Sequence, residues 1–418
     1  MNILLKSAYI VDPQSPFHTK KVDILIEKGV IQKIGKNISA TEKTKEVSLP
    51  NLHVSAGWFD SSVSFGEPGF EERETIENGL LTAAKSGFTG LALHPNTNPI
   101  ADNSGAIAYA KSKSFHTATQ LFPIGSLTIQ SKGIDLAELY DMHKHNAVSF
   151  GDYKKPIVNP NLLKLALQYT QSFDGLVQSY PQDNNIAGKG MVNEEVSGTQ
   201  LGLKGIPNLA EELQISRDLF ILEYTGGKLH IPTVSTAKSV ALLKEAKKKG
   251  LDVSCSVAIH NLVLDDSILI EFDSNYKVQP PLRTKKDVKA LLKAVKEGTI
   301  DMITSDHRPM DIENKQVEFD NAAYGTIGLE SAFGALVKEF PLEIIIEKLT
   351  AARSRFTHKT ISITEGAEAN LSLFNPEETY TFQKEHIFSS SKNAAFLGKK
   401  LQGRAYGVYA NEQLVLNS

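Results

Sequence analysis

Eight short apolar runs recur along the middle of this chain, and most are followed by an amphipathic stretch of helical length. That alternation restricts the fold more than any other feature. The runs lie near residues 52–59, 88–93, 120–124, 147–150, 175–178, 228–231, 252–258 and 300–304. The last helical stretch is the clearest: Thr284-Lys285-Lys286-Asp287 reads as a capping box, Val288, Leu291, Leu292 and Val295 recur at helical spacing, and Gly298 stops the pattern before the next strand. Strands alternating with helices over roughly 310 residues predict a parallel (β/α)8 barrel.

Both ends differ from this middle. Residues 24–31 read as two apolar stretches around a turn, a hairpin signal. Residues 370–374, running into Asn375-Pro376, and the stretch 403–416 have the same character. The expected organisation is a small β-sandwich domain built from residues 1–51 and 366–418, around a barrel at 52–365.

Composition excludes several classes of function. The net charge is −3, from 45 basic and 48 acidic residues, so no global field favours nucleic acid. The Lys-rich stretches 244–249 and 285–296 fall on helical periodicity and read as solvated faces. No apolar run approaches the ~18 residues of a membrane span, and residues 2–6 lack the apolar stretch of a signal peptide. The single cysteine, Cys255, lies in an apolar run and suits a reducing compartment. A cytoplasmic protein is expected.

In barrels of this kind chemistry sits at the C-terminal ends of the strands. Those positions hold Ser62 and Ser64, then Asn96, Asp152, Tyr180, Thr233, His260 and Asp306-His307. Four of these positions, Ser62, Ser64, Tyr180 and Thr233, hold hydroxyl side chains. A neutral hydroxyl is a poor Zn²⁺ donor, and a catalytic zinc needs about three protein ligands with one position left for water. His143-Lys144-His145 offers a His-x-His pair, but residues two apart do not share a helix face, and surface positions are expected.

Nearly the whole chain resembles the dihydroorotase family of the amidohydrolase superfamily. The likeness is carried by Phe65-Gly66-Glu67-Pro68-Gly69 with Glu74-Thr75-Ile76-Glu77, by His94-Pro95-Asn96-Thr97-Asn98-Pro99, and by Asn193 with Leu201-Gly202-Leu203-Lys204-Gly205-Ile206-Pro207. It continues through Pro280-Pro281-Leu282-Arg283, Ser305-Asp306-His307-Arg308-Pro309, Gly325-Thr326-Ile327-Gly328-Leu329-Glu330 and Asn393-Ala394-Ala395-Phe396. The family hydrolyses or closes the ring of dihydroorotate in pyrimidine synthesis, using Zn²⁺ to generate hydroxide.

Carried over by residue, the resemblance places the family's metal-binding histidine pair on Ser62 and Ser64. Further histidine ligands fall on Tyr180 and Thr233, while Asp152 matches the bridging position and Asp306 the catalytic-base position. The substrate-binding arginine is Gly66, the Asn of the Asn-Pro-Pro-Leu-Arg motif is Gln279, and the second His of the Asp-His-x-Pro-His motif is Met310. Asn96 matches, and with Gln279 and His307 it forms the candidate substrate-binding set.

The resemblance with these losses implies a non-catalytic homologue, structural or regulatory, with no cofactor expected. A homodimer and assembly with aspartate carbamoyltransferase are implied by family analogy. The alternative is a hydrolase of cyclic amides acting through a rebuilt site, with zinc held by a new cage such as His94, His260, Asp306 and His307. Asp152, followed by Tyr153-Lys154-Lys155, is expected to pair with a lysine in place of metal, and Arg283 to anchor the loop after Pro280-Pro281.

Overall fold

The computed structural model describes residues 2–40 and 42–417. The terminal strands are β1 (Asn2–Ile10), β2 (Lys21–Glu27), β3 (Val30–Gly35), β4 (Thr44–Val47) and β5 (His53–Ala56). The barrel strands are β6 (Trp58–Val63), β7 (Phe88–Leu93), β8 (Gln120–Gly125), β9 (Ser149–Phe150) and β10 (Leu176–Gln178), followed, after the short parallel pair β11 (Val192–Asn193) and β12 (Gly205–Ile206), by β13 (Lys228–Ile231), β14 (Val253–Ala258) and β15 (Met302–Thr304). The C-terminal strands β16 (Leu371–Thr381), β17 (Lys400–Ala410) and β18 (Gln413–Leu416) complete the small sheet.

The barrel is parallel in the order β15-β14-β13-β10-β9-β8-β7-β6. A main helix follows each strand: α1 (Ile76–Lys85), α2 (Ser104–Ser112), α3 (Leu139–Lys144), α4 (Pro160–Thr170), α5 (Asn208–Thr225), α6 (Ala237–Lys248), α7 (Lys285–Lys296) and α8 (Leu342–Thr357). α7 starts as its sequence predicts, with Thr284 Oγ1 accepting from the Asp287 amide at 3.3 Å, and Gly298 beyond its end takes φ +77°. Phe356 of α8 packs with Phe59, Ala92, Ile124, Leu176 and Met302 inside the barrel.

β6 and β15 meet without a regular ladder, and a buried carboxylate joins them. Asp60 accepts from the Ser305 amide at 2.8 Å, from the Thr304 hydroxyl, and from the Ser62 amide at 2.9 Å. Burial still holds the Asp60 carboxyl above its ordinary range, against those hydrogen bonds.

The first predicted strand, 52–59, is two strands. β5 pairs with β1 and β16 in the small sheet, and the barrel begins only at Trp58. The chain crosses between the two sheets at Gly57, where an added Cβ would lie 2.0 Å from Asn370 Oδ1 and 2.1 Å from Thr89 Oγ1. An unbroken apolar run concealed that crossing. The small domain is one hydrogen-bonded mixed sheet of eight strands, with β1 bonding β4 along its first half and β5 along its second.

Candidate functional site

The mouth of the barrel is organised around an ammonium group. Lys154, in the segment after β9, takes φ +54°, which turns its side chain back across the strand ends. Its Nζ donates to Asp306 Oδ2 at 2.9 Å and to the Gln279 carbonyl at 2.6 Å. The side chain is 7% exposed and that of Asp306 6%. The ammonium also lies 5.5 Å from the ring centroids of Tyr153 and Tyr180. Burial pulls the Lys154 pKa below its usual value, opposed by the Asp306 carboxylate.

Asp306 also accepts from Ser62 Oγ at 3.0 Å, and that oxygen lies 2.9 Å from His94 Nε2. The chain Lys154–Asp306–Ser62–His94 therefore runs through a position that the family resemblance gives to a metal ligand. His94 stacks on Tyr153 at 4.1 Å between centroids. Asp306, Thr233 and Lys154 all adopt positive φ, at +49°, +49° and +54°. Such backbone is uncommon for residues other than glycine and is concentrated at functional sites.

Asp152 does not pair with a lysine, contrary to the expectation from its neighbours. It accepts from Ser126 Oγ at 2.8 Å, the Thr128 amide at 3.0 Å and the Thr128 hydroxyl. The lysine two residues on serves Asp306, and Lys155 reaches the Ser131 carbonyl at 3.2 Å. The Asp152-Tyr153-Lys154 run is plain in the sequence. Which carboxylate the lysine meets depends on one backbone angle and on a residue 152 positions away.

Ser62, His94, Asp152, Tyr153, Lys154, Tyr180 and Thr233 line a cavity of about 10 Å³, enough for the centre of a single water. Pockets for small molecules ordinarily run to about 300–1,000 Å³. The hydroxyls of Tyr153, Tyr180 and Thr233, His94 Nδ1 and both His260 ring nitrogens are buried without a hydrogen-bond partner. Burial holds the Tyr153 and Tyr180 hydroxyls well above the ordinary tyrosine range.

The remaining candidate residues are dispersed. Ser64 accepts from Asn96 Nδ2 at 2.8 Å, and neither lines this cavity. Gln279 contributes its carbonyl to Lys154, while its side chain only approaches Gln182 at 3.5 Å. His307 is buried with Nδ1 accepting from the Gly328 and Leu329 amides at 3.1 and 3.3 Å. The cage envisaged from His94, His260, Asp306 and His307 does not assemble: among the described residues no three His, Cys, Asp or Glu side chains come together as a metal site. His143 and His145 are exposed, as predicted.

Two buried side chains support the mouth. Arg283, 2% exposed, donates to Ser235 Oγ (3.1 Å), Asn193 Oδ1 (2.9 Å) and the Ile206 carbonyl (2.7 Å), anchoring β11 and β12 beside the barrel. Asn393 holds the Arg308 and Gly325 carbonyls and receives the Met310 amide. Arg283→Met should cost about 2–4 kcal/mol, because three buried acceptors lose their donor. Urea unfolding checks this, and a loss within about 0.5 kcal/mol, the ordinary scale of surface changes, would contradict it.

The donor set does not suit the zinc that the fold's resemblance implies. Among the described residues no three His, Cys, Asp or Glu side chains converge as a metal site. At the mouth one carboxylate is committed to an internal ammonium, and the other to Ser126 and Thr128.

A parallel eight-stranded barrel joined to a mixed sheet from both termini, with its polar groups gathered at the strand ends, defines the amidohydrolase type. Solved structures agree: the chain is similar to L-hydantoinase (dihydropyrimidinase) from Arthrobacter aurescens, with TM-score 0.85 at 20% identity over 99% of this chain and 97% of that one. Dihydropyrimidinase from Brevibacillus agri gives TM-score 0.80 at 20% identity, covering 100% and 96%. The family model described as dihydro-orotase-like matches residues 53–239. A dihydroorotase of Pelotomaculum thermopropionicum is 37% identical over 100% of this chain and 99% of its own length, and one of Geobacter metallireducens is 35% identical over 97% of each. The chain belongs to the dihydroorotase family.

Proposed function

We propose that this chain is a non-catalytic member of the dihydroorotase family, with a structural or regulatory part in pyrimidine biosynthesis. The observation that carries the reading is Lys154, whose ammonium is paired with Asp306 at the carboxylate expected to act as base. A base paired with a buried cation is poorly suited to taking a proton. Without a metal, the pKa of bound water is not lowered towards about 7 to supply hydroxide. The narrow cavity supports the same conclusion. A homodimer, and aspartate carbamoyltransferase as a protein partner, remain the proposed associations. A cytoplasmic setting fits the lone buried cysteine and the lack of any helix long and apolar enough to cross a membrane among the described residues.

The competing reading is a working hydrolase of cyclic amides. It draws on the curated relatives, which carry the name dihydroorotase, and on a second cavity of about 380 Å³ beside the mouth. Glu67, Leu93, Thr97, Tyr109 and Ile124 help line it, and it shares His94 with the small one.

Metal content by mass spectrometry on protein purified without chelators, paired with a dihydroorotate assay in added Zn²⁺, separates the two. The non-catalytic reading expects sub-stoichiometric metal and turnover at the uncatalysed rate. Stoichiometric zinc with turnover abolished by Asp306→Asn would establish the hydrolase.

A further inference from the structure

His94 lines two cavities, and only one of its ring nitrogens is engaged. Nε2 meets Ser62 Oγ at 2.9 Å, on the side of the small cavity in the barrel mouth. The next link fixes the direction of that bond. Ser62 Oγ donates its one hydrogen to Asp306 Oδ1 at 3.0 Å, and a carboxylate only accepts. Ser62 must therefore accept from His94, which places the imidazole hydrogen on Nε2. Burial, with the charges of Lys154 and Arg308 behind it, keeps the ring neutral. Nδ1 is then a bare acceptor, buried without a partner. It sits on the ring edge turned away from Ser62, and Ser62 does not line the larger cavity.

That cavity, of about 380 Å³, lies between α2 and the ends of β7 and β8. Pro68, Leu93, Pro99, Ala106, Pro123 and Ile124 give it apolar walls. Its other polar side chains are already served. Glu67 accepts from the Tyr109 hydroxyl at 2.6 Å, the Ile76 amide at 2.9 Å and the Lys113 ammonium at 2.8 Å. Thr97 donates to the Pro99 carbonyl at 2.8 Å, and Asn103 Oδ1 caps α2 at the Ala106 amide, 3.1 Å away. Pro99, Asn103 and Tyr109 are the exposed members of the lining and mark the entrance.

These walls restrict what fits. A lone acceptor in apolar surroundings calls for an N–H or O–H donor. A cationic guest would find Glu67 already held by Lys113, and an anionic one would meet that carboxylate with no free donor, so the guest is neutral. An apolar cavity of about 150 Å³ holds benzene, which leaves room here for two fused rings.

We propose that this cavity binds a neutral, fused-ring aromatic heterocycle through a ring N–H that donates to His94 Nδ1. The donor completes the chain that runs from His94 through Ser62 and Asp306 to Lys154. The site stands under either reading of the barrel mouth, since its guest is held and not turned over.

Isothermal titration calorimetry of the full chain with indole and 1-methylindole tests it. Indole carries the N–H and no acceptor nitrogen, and methylation removes the donor while keeping the rings. Indole should bind one-to-one with a Kd below about 1 mM, and 1-methylindole about tenfold more weakly or worse. His94→Phe keeps an aromatic ring but removes Nδ1, and should bring the two compounds within about threefold of each other. Ala106→Phe, on the α2 wall, should weaken both by about tenfold or more. Far-UV circular dichroism checks that each variant is folded, and Ala106→Phe locates the site even if His94→Phe unfolds. No indole binding at millimolar concentration would overturn the proposal, as would equal affinities of the wild type for the two compounds. So would a preference for indole that survives in His94→Phe, or binding that Ala106→Phe leaves untouched.

Discussion

Lys154→Met is expected to lower the unfolding free energy by about 3–5 kcal/mol, the usual consequence of removing one partner from a buried ion pair. Asp306 would keep Ser62 Oγ as its hydrogen-bond donor but lose the cation paired with it, in a site with 6% side-chain exposure. The Gln279 carbonyl would lose its donor as well. Much of the cost reflects an uncompensated charge. Lys154→Met/Asp306→Asn should therefore recover most of the loss, because neither charge then remains buried. Urea unfolding at neutral pH, read as a double-mutant cycle, measures both effects. A single-variant loss below about 1 kcal/mol, or a double variant no more stable than Lys154→Met, would show that Asp306 does not depend on this ammonium.

Mild acid is expected to destabilise the protein steeply. Four buried histidines resist protonation in the fold: burial takes His230 and His307 to about 3, His260 to about 4 and His94 well below its ordinary value. The unfolded chain protonates them near about 6.5. Their folded pKa values are depressed, so the penalty is absent above about pH 6.5 and grows as pH falls towards about 4. Each histidine then favours the unfolded state by about 1.4 kcal/mol per pH unit, and the four together by at most about 6 kcal/mol per pH unit. Total stabilities of about 5–15 kcal/mol put that on the scale of the whole fold.

Buried acids act in the opposite sense. Burial raises Asp60, Asp218 and Glu330, so the fold holds their protons more readily than the unfolded chain does. That gain develops as pH falls through their folded values and offsets part of the histidine loss there. Urea midpoints taken from about pH 7.5 to 5 should stay nearly level above about pH 6.5 and fall below it, with the slope reporting the protons taken up on unfolding. A flat profile between about pH 6.5 and 5.5 would mean that the histidines titrate in the folded state.

The motif order and the strand–helix alternation are legible in the residues alone, because both are local. β7 and β13 lie where their apolar runs predict them, and α7 begins at its Thr284 cap. The boundary at Gly57 is not legible, because two strands of different sheets share one apolar run there. That Ser62, Ser64, Tyr180 and Thr233 are poor zinc donors is open to reading, since residue type alone decides which side chains bind zinc well.

The barrel and the family thus follow from the order of residues along the chain. Which partners the charges at the barrel mouth meet follows from how the chain closes in three dimensions. Lys154 reaches Asp306 because its own backbone turns left-handed and because β9 and β15 are strands of the same barrel. Asp152 turns instead to Ser126 and Thr128. Side-chain chemistry is written locally, but the partner of a buried charge is chosen by the fold, which brings distant residues within hydrogen-bond reach.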